Sequence, residues 1–69
     1  MMYASYLLQQ NRSKEAIVIL NKLQNDNFEP ISVNLLLSLA YEMDQDNLLA
    51  LKYKSIAFVH KMRQLDSIP

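Results

Sequence analysis

The sequence contains no cysteine and no glycine, and it has only two prolines and one histidine. Without Cys, neither a disulfide nor a thiolate metal site can stabilise so short a chain. One His is too few for an imidazole-rich metal site, and the lack of Gly excludes the glycine-rich loops that bind phosphate groups. Because 69 residues bury too little apolar surface for a wide margin of stability, we expect contact with a protein partner to supply the rest.

An excess charge of one sign is also absent. Seven Lys and Arg residues balance seven Asp and Glu residues, so no general attraction to nucleic acid is expected. No apolar run reaches the roughly 18–20 residues that a membrane-spanning helix needs. Residues 1–6 lack the basic start and long apolar core of a signal peptide. The prediction is a soluble, intracellular and cytoplasmic protein that binds neither nucleic acid nor a membrane.

Apolar residues make up 51% of the chain, and their helical spacing predicts an all-α fold without strands. The predicted helices span about 3–10, 14–24, 30–43 and 47–63. Ser13 and Asp46 are predicted N-caps of the second and fourth helices, and Pro30 fits the first position of the third. The predicted inward face of helix three comprises Val33, Leu36, Leu37, Ala40 and Tyr41, and that of helix four comprises Leu49, Ala50, Tyr53, Ala57 and His60.

The chain is similar to itself when it is shifted so that Ala16 falls on Ala50. The turn at 11–13 then falls on the turn at 45–47, and the shift is that of a helical repeat of about 34 residues. Each unit is a helix, a short turn and a second helix. A small residue near the start of the second helix allows the two helices to approach closely, so Ala16 and Ala50 are predicted at tightly packed positions.

The segment 37–53 of the second unit, LSLAYEMDQDNLLALKY, resembles the tetratricopeptide repeat family, which has this same period. Both share a Leu, a small residue, a Tyr, an acidic turn and an Ala in the second helix. Ser38 and Ala4 stand where the family has Gly or Ala. Asn34 replaces its usual Trp, Lys54 stands where an aromatic residue is expected, and Pro30 lies later than in the family.

This resemblance implies antiparallel helical hairpins stacked as an α-solenoid fragment, with no catalytic activity and no cofactor. The first hairpin would cover about 1–30 and the second 31–64, with a tail at 65–69. Another helical hairpin array, or a helical bundle, is the alternative.

The polar residues do not form a pattern typical of an enzyme or a metal site. The acidic turn at 44–47 begins like a calcium loop, but Leu49 and Ser55 occupy the places where that loop needs Gly and Glu. His60 has no evident nucleophile or orienting partner. We therefore predict no catalytic, cofactor, metal or small-molecule site. The lysines and arginine of helix four are predicted to form a solvated face, and Tyr3, Tyr6, Tyr41 and Tyr53 to pack between helices.

Helix three is apolar on almost every side, which leaves residues free for a partner. The family resemblance implies a concave groove lined by the first helix of each unit, here by Ser5, Leu8, Gln9, Leu35, Leu39, Glu42 and Met43. Among these, the predicted partner contacts are Leu8, Leu35, Leu39, Glu42 and Met43. Either a neighbouring repeat covers this surface, or it binds an apolar peptide or a partner helix.

The predicted function is a non-catalytic protein–protein interaction scaffold, as a terminal or excised part of a larger repeat protein in a multi-subunit assembly. The alternative is a self-associating helical oligomerisation module. An RNA-binding helical repeat is disfavoured by the zero net charge. Residues with AT-rich codons outnumber those with GC-rich codons, which is typical of genomes such as those of protists, so a ciliary or cytoskeletal assembly is one candidate setting.

Overall fold

Four α-helices, joined by short turns, make up the fold. A computed structural model describes residues 2–66, and the side chains of residues 3–65. The helices are α1 (Met2–Gln9), α2 (Ser13–Asn25), α3 (Pro30–Met43) and α4 (Asn47–Asp66), and no strand occurs in this part of the chain. The all-α prediction is confirmed, as are both ends of α3. Helix α4 continues to Asp66, past its predicted end at Arg63, and the last three residues of the predicted tail, 67–69, lie outside the described residues.

The helices stack in chain order, each against the next, and α1 also touches α3. Helix α3 therefore lies in the middle and contacts each of the other three. Of the described helices, only α3 lies alongside α4. The stack is elongated, with extents of 41 × 23 × 19 Å. This arrangement buries α3 well and leaves much of α4 without a neighbour.

The core forms where α1, α2 and α3 meet. Its buried members are mostly small or aliphatic: Ala4, Leu7, Leu8, Ala16, Leu20, Val33, Leu37 and Ala40. The predicted face of α3 is confirmed, since Leu36 and Tyr41 pack against this cluster. Ala16 and Ala50 are both buried, as the repeat predicted. Small residues at these positions let the helices pack closely without overlap.

The face of α4 that was predicted to point inward does so. Ala50 and Ala57 are buried, and Leu49, Tyr53 and His60 are half-buried.

Two tyrosines pair between α3 and α4, as predicted, and two do not. The rings of Tyr41 and Tyr53 stack with centroids 5.4 Å apart and planes 5° from parallel. Burial, and then the nearby Tyr41, raise the pKa of the Tyr53 phenol. Tyr3 and Tyr6, by contrast, are more than half exposed, so their predicted place between helices is wrong. Ala4, together with the leucines at 7 and 8, already forms the buried face of α1, which turns both tyrosines outward.

After each of the first three helices, two positions beyond its last residue, the chain has a residue in the left-handed conformation. These residues are Asn11 (φ 60°), Asn27 (φ 56°) and Gln45 (φ 63°). Glycine is the usual residue at this position because it has no Cβ to clash with the backbone. Since the chain has no glycine, two asparagines and a glutamine take its place. Asn tolerates this conformation better than most residues, whereas Gln has no such advantage.

The three turns between the helices share one backbone geometry. The amide of Arg12 donates to the carbonyl of Leu7 over 2.9 Å, that of Phe28 to the carbonyl of Leu23 over 3.0 Å, and that of Asp46 to the carbonyl of Tyr41 over 2.8 Å. Each bond belongs to a Schellman motif, in which the chain folds back over the last helical turn. The same local geometry therefore joins each helix to the next.

The two predicted N-caps behave differently. Asp46 accepts a hydrogen bond from the amide of Leu49 over 3.4 Å, which is the predicted capping contact in a long form. Ser13 lies inside α2, so its prediction as an N-cap is wrong, and Arg12 occupies that position without a side-chain cap. The Ser13 hydroxyl instead donates to Oδ1 of Asp44 over 2.7 Å. This bond ties the start of α2 to the end of α3 and so joins the two hairpins.

Candidate protein-binding surfaces

A shallow groove runs between α1 and α3. It has a volume of about 240 Å³ and is lined by Ser5, Leu8, Gln9, Leu36, Leu39 and Met43. Five of these six residues belong to the groove that the sequence predicted, and Leu36 is the addition. Leu39 and Met43 are 47% and 37% exposed, whereas Leu8 is only 5% exposed. The groove therefore has a buried floor at Leu8 and an accessible apolar wall on α3.

Two of the predicted partner contacts lie outside this groove. Leu35 is 48% exposed and stands one helical turn before Leu39, so it extends the apolar wall beyond the groove. Glu42 is exposed but borders a separate depression between α3 and α4, which it shares with Lys54 and Leu51. Of the five predicted partner contacts, Leu8, Leu39 and Met43 therefore line the groove between α1 and α3. Leu35 lies next to the groove, and Glu42 lies at a different depression.

The orientation of α3 decides which leucines face the groove, and a buried amide helps to set it. Asn34 is only 1% exposed. Its Oδ1 accepts a hydrogen bond from Nε2 of Gln24 over 2.8 Å, and its Nδ2 donates to the carbonyl of Pro30 over 2.7 Å. Because a buried amide without partners would cost free energy, these bonds favour one rotation of α3 against α2. The sequence did not predict this role of Asn34, and showed only that Asn34 stands where the tetratricopeptide family usually has Trp.

The described residues contain no group of three or more His, Cys, Asp or Glu residues that could hold a metal ion. The acidic turn after α3 is engaged in structure, because the Asp44 carboxylate binds Ser13 and that of Asp46 caps α4. The hydrogen bond that Arg12 donates to Glu15 raises the pKa of the Arg12 guanidinium, but both side chains are exposed at the start of α2.

A second apolar surface lies on α4, and the sequence reasoning missed it. Six large apolar side chains of α4 are exposed, with exposed fractions from 47% for Val59 and Met62 to 83% for Leu48. The other three are Leu51, Phe58 and Leu65. All six except Val59 could have been found from the sequence, since those five recur at intervals of three and four residues or their sums. That spacing was assigned only to the face of α4 that packs on α3.

No helix in the described part of the chain combines the length and the apolar character needed to cross a bilayer. No protein-family model matches the sequence, and comparisons with curated proteins and with solved structures find no significant match.

Proposed function

We propose that this chain is a non-catalytic protein–protein interaction scaffold built from tetratricopeptide-like helical hairpins, and that a partner segment binds in the groove between α1 and α3. The observation that carries the proposal is the apolar wall of Leu35, Leu39 and Met43, which stays exposed although α3 already has a buried core face. Covering a large apolar side chain that is wholly exposed contributes about 1.5–3 kcal/mol, and these three, partly exposed, would each contribute less. An apolar segment of a partner would gain this burial.

The packing of the helices supports the tetratricopeptide-like part of the proposal. Two helical hairpins that stack in chain order, with Ala16 and Ala50 buried at matching places, form the kind of unit from which helical solenoids are built. Since such units usually stack on further ones, we also propose that the chain acts within a larger repeat protein in a multi-subunit assembly. A ciliary or cytoskeletal assembly is one candidate setting.

The test is a double substitution, Leu35→Glu with Leu39→Glu, in the full chain. Peptides of random sequence would first be selected for binding to the unchanged protein, and the peptides that perturb the NMR signals of Met43 and Gln9 would be kept as probes. We expect the double variant to bind these probes about tenfold more weakly or worse, with an unchanged helical circular dichroism spectrum. Val18→Glu is the matched control, because Val18 is 70% exposed on α2, away from the groove.

Three outcomes are informative. Loss of binding with retained helicity supports the groove as a partner site. Loss of both together means that the surface packs inside a larger array, which contradicts partner binding in the groove. Retained binding by a folded double variant contradicts the proposal altogether.

A self-associating helical module is the second candidate, because a further copy of the chain would also cover the exposed apolar wall of α3. Sedimentation equilibrium of the full chain distinguishes the two, because self-association requires a discrete oligomer whose population rises with concentration.

A further inference from the structure

Five of the six exposed large apolar residues of α4, all but Val59, form a regular stripe. Together with Ser55 they occupy positions 48, 51, 55, 58, 62 and 65, so the intervals alternate strictly between three and four residues. This is the spacing of the a and d positions of a heptad, the pattern by which one helix packs along another. From Leu48 to Leu65 the stripe is about 25 Å long at 1.5 Å per residue. We call these six residues the α4 stripe.

The α4 stripe is not part of the core. The residues of α4 that face α3, such as Ala50, Tyr53 and Ala57, occupy other heptad positions and lie on another side of the helix. Of the described helices, only α3 lies alongside α4, so no described helix covers the stripe. Helix α4 is therefore apolar on two sides, one of them packed and one exposed.

The width of the α4 stripe suits a helix better than a lipid surface. An a/d stripe is narrow, whereas a helix that lies in a membrane interface presents a broad apolar face. Val59, at a flanking e position, is the one other large apolar side chain of α4 that is exposed among the described residues.

The charges beside the stripe identify the kind of helix. Lys52, Lys54 and Lys61 occupy the e and g positions that flank it. The single salt bridge among the described residues joins Arg12 and Glu15, so these lysines form no ion pair there. With Arg63 they oppose one acidic residue of α4, Asp66, and give the helix a formal charge of +3, while the chain as a whole is neutral. Acidic residues in a facing helix would pair with them.

A second copy of the chain fits less well. In an antiparallel pair of α4 helices the flanking lysines would oppose one another, which disfavours association. In a parallel pair only Lys61 would come opposite an acidic residue, and Ser55 would face Ser55 in the middle of the seam. We propose that the α4 stripe binds an amphipathic helix of a protein partner whose apolar seam is flanked by Asp and Glu.

Two synthetic helical peptides test this proposal with the full chain. Both carry the same apolar heptad seam, one with Glu and the other with Lys at the e and g positions. We expect the Glu-flanked peptide to bind at least about tenfold more tightly by isothermal titration calorimetry, with a preference that shrinks as salt is raised. Lys54→Glu with Lys61→Glu should reverse the preference. Leu51→Glu with Phe58→Glu should abolish binding of the Glu-flanked peptide, while Val18→Glu should leave it unchanged.

Circular dichroism of each variant establishes that the fold is retained, which we expect because both Leu51 and Phe58 are more than 60% exposed. Equal binding of the two peptides, or binding that survives the change at Leu51 and Phe58, would overturn the proposal. So would a chain that ignores both peptides but binds vesicles of phosphatidylcholine and phosphatidylserine, or that forms a dimer dependent on Phe58. None of these changes touches the groove between α1 and α3, so its role is tested separately.

Discussion

The side chain of Asn34 makes two hydrogen bonds inside the stack, one to the Gln24 side chain of α2 and one to the carbonyl of Pro30 at the start of its own helix. The two bonds use the amide in opposite senses, because its oxygen accepts from Gln24 and its nitrogen donates to Pro30. A carboxylate of the same shape can supply only the first of these. This asymmetry makes Asn34→Asp a sharp test of the network.

We expect Asn34→Asp to lower the free energy of unfolding by about 2–3 kcal/mol at pH 7, because a buried carboxylate is desolvated and faces the Pro30 carbonyl. Burial raises the pKa of such a carboxyl in the folded state above its ordinary value of about 3.9. A raised pKa in the folded state means that stability is lost as pH rises, so the deficit should shrink when the pH is lowered towards 4. Urea titrations of variant and unchanged protein at both pH values measure the difference.

Asn34→Leu is the control, since it removes both hydrogen bonds without adding a titratable group. It should lower the free energy of unfolding by the same amount at both pH values. If Asn34→Asp were as stable as the unchanged chain at pH 7, the buried amide would not orient α3 in the way described.

At the scale of the helices, the turns follow from the missing glycine. Gln45, in the turn after α3, has φ 63°, where its Cβ crowds the backbone. We expect Gln45→Gly to raise the free energy of unfolding by about 0.5–1 kcal/mol, because relief of this crowding exceeds the added entropy of glycine in the unfolded chain. For a chain of this size that corresponds to a rise in Tm of about 4 °C. Thermal unfolding followed by circular dichroism measures it.

Gln45→Ala separates the backbone effect from the loss of the side chain. Alanine keeps the Cβ, so it should give no such gain. A rise in Tm that is equal for Gly and Ala would show that the left-handed conformation is not the cause.

The elements that could be predicted from the sequence are those whose signals are local. Pro30 marked the start of α3, and the period of its apolar residues gave the buried face. The faces of α1 could not be separated in this way, because Tyr3 with Leu7 and Ala4 with Leu8 are equally good helical pairs. Only the packing of α1 on its neighbours shows that Ala4 and both leucines are buried and Tyr3 is not.

The candidate sites show the same difference between features with a local sequence signal and features that depend on packing. Leu39 and Met43 could be predicted in the groove because they lie off the core face of α3. Leu8 was correctly placed there, but its burial depends on contacts with other helices that no single segment encodes. The partner of Asn34 lies on α2, ten residues away in sequence, so the hydrogen bond could not be anticipated from the chain around it. On α4, both sides are apolar, and periodicity alone cannot tell which one is left exposed.

For the whole molecule, this arrangement implies an uneven distribution of stability. Helix α3 lies between its neighbours, whereas α4 contacts α3 alone among the described helices. Beyond Ala57, the described side chains of α4 other than His60 are exposed. Gln64 shares a shallow depression with Pro30 at the start of α3. A helix end with so few buried side chains is marginal on its own, so the end of α4 depends on the turns before it.

We therefore expect amide hydrogen exchange to be faster in residues 58–66 than in the middle of α3. Local opening of poorly packed segments costs less free energy than global unfolding, so the amides at Leu37 and Ala40 should be the best protected. Exchange followed by NMR on the full chain at neutral pH measures both segments at once. Binding of the Glu-flanked helix to the α4 stripe should slow exchange at Met62 and Leu65, whereas a groove peptide should leave those two amides unchanged. If residues 58–66 of the free monomer were protected as strongly as α3, some contact beyond α3 would have to hold the end of α4, and the stripe would not be a free surface.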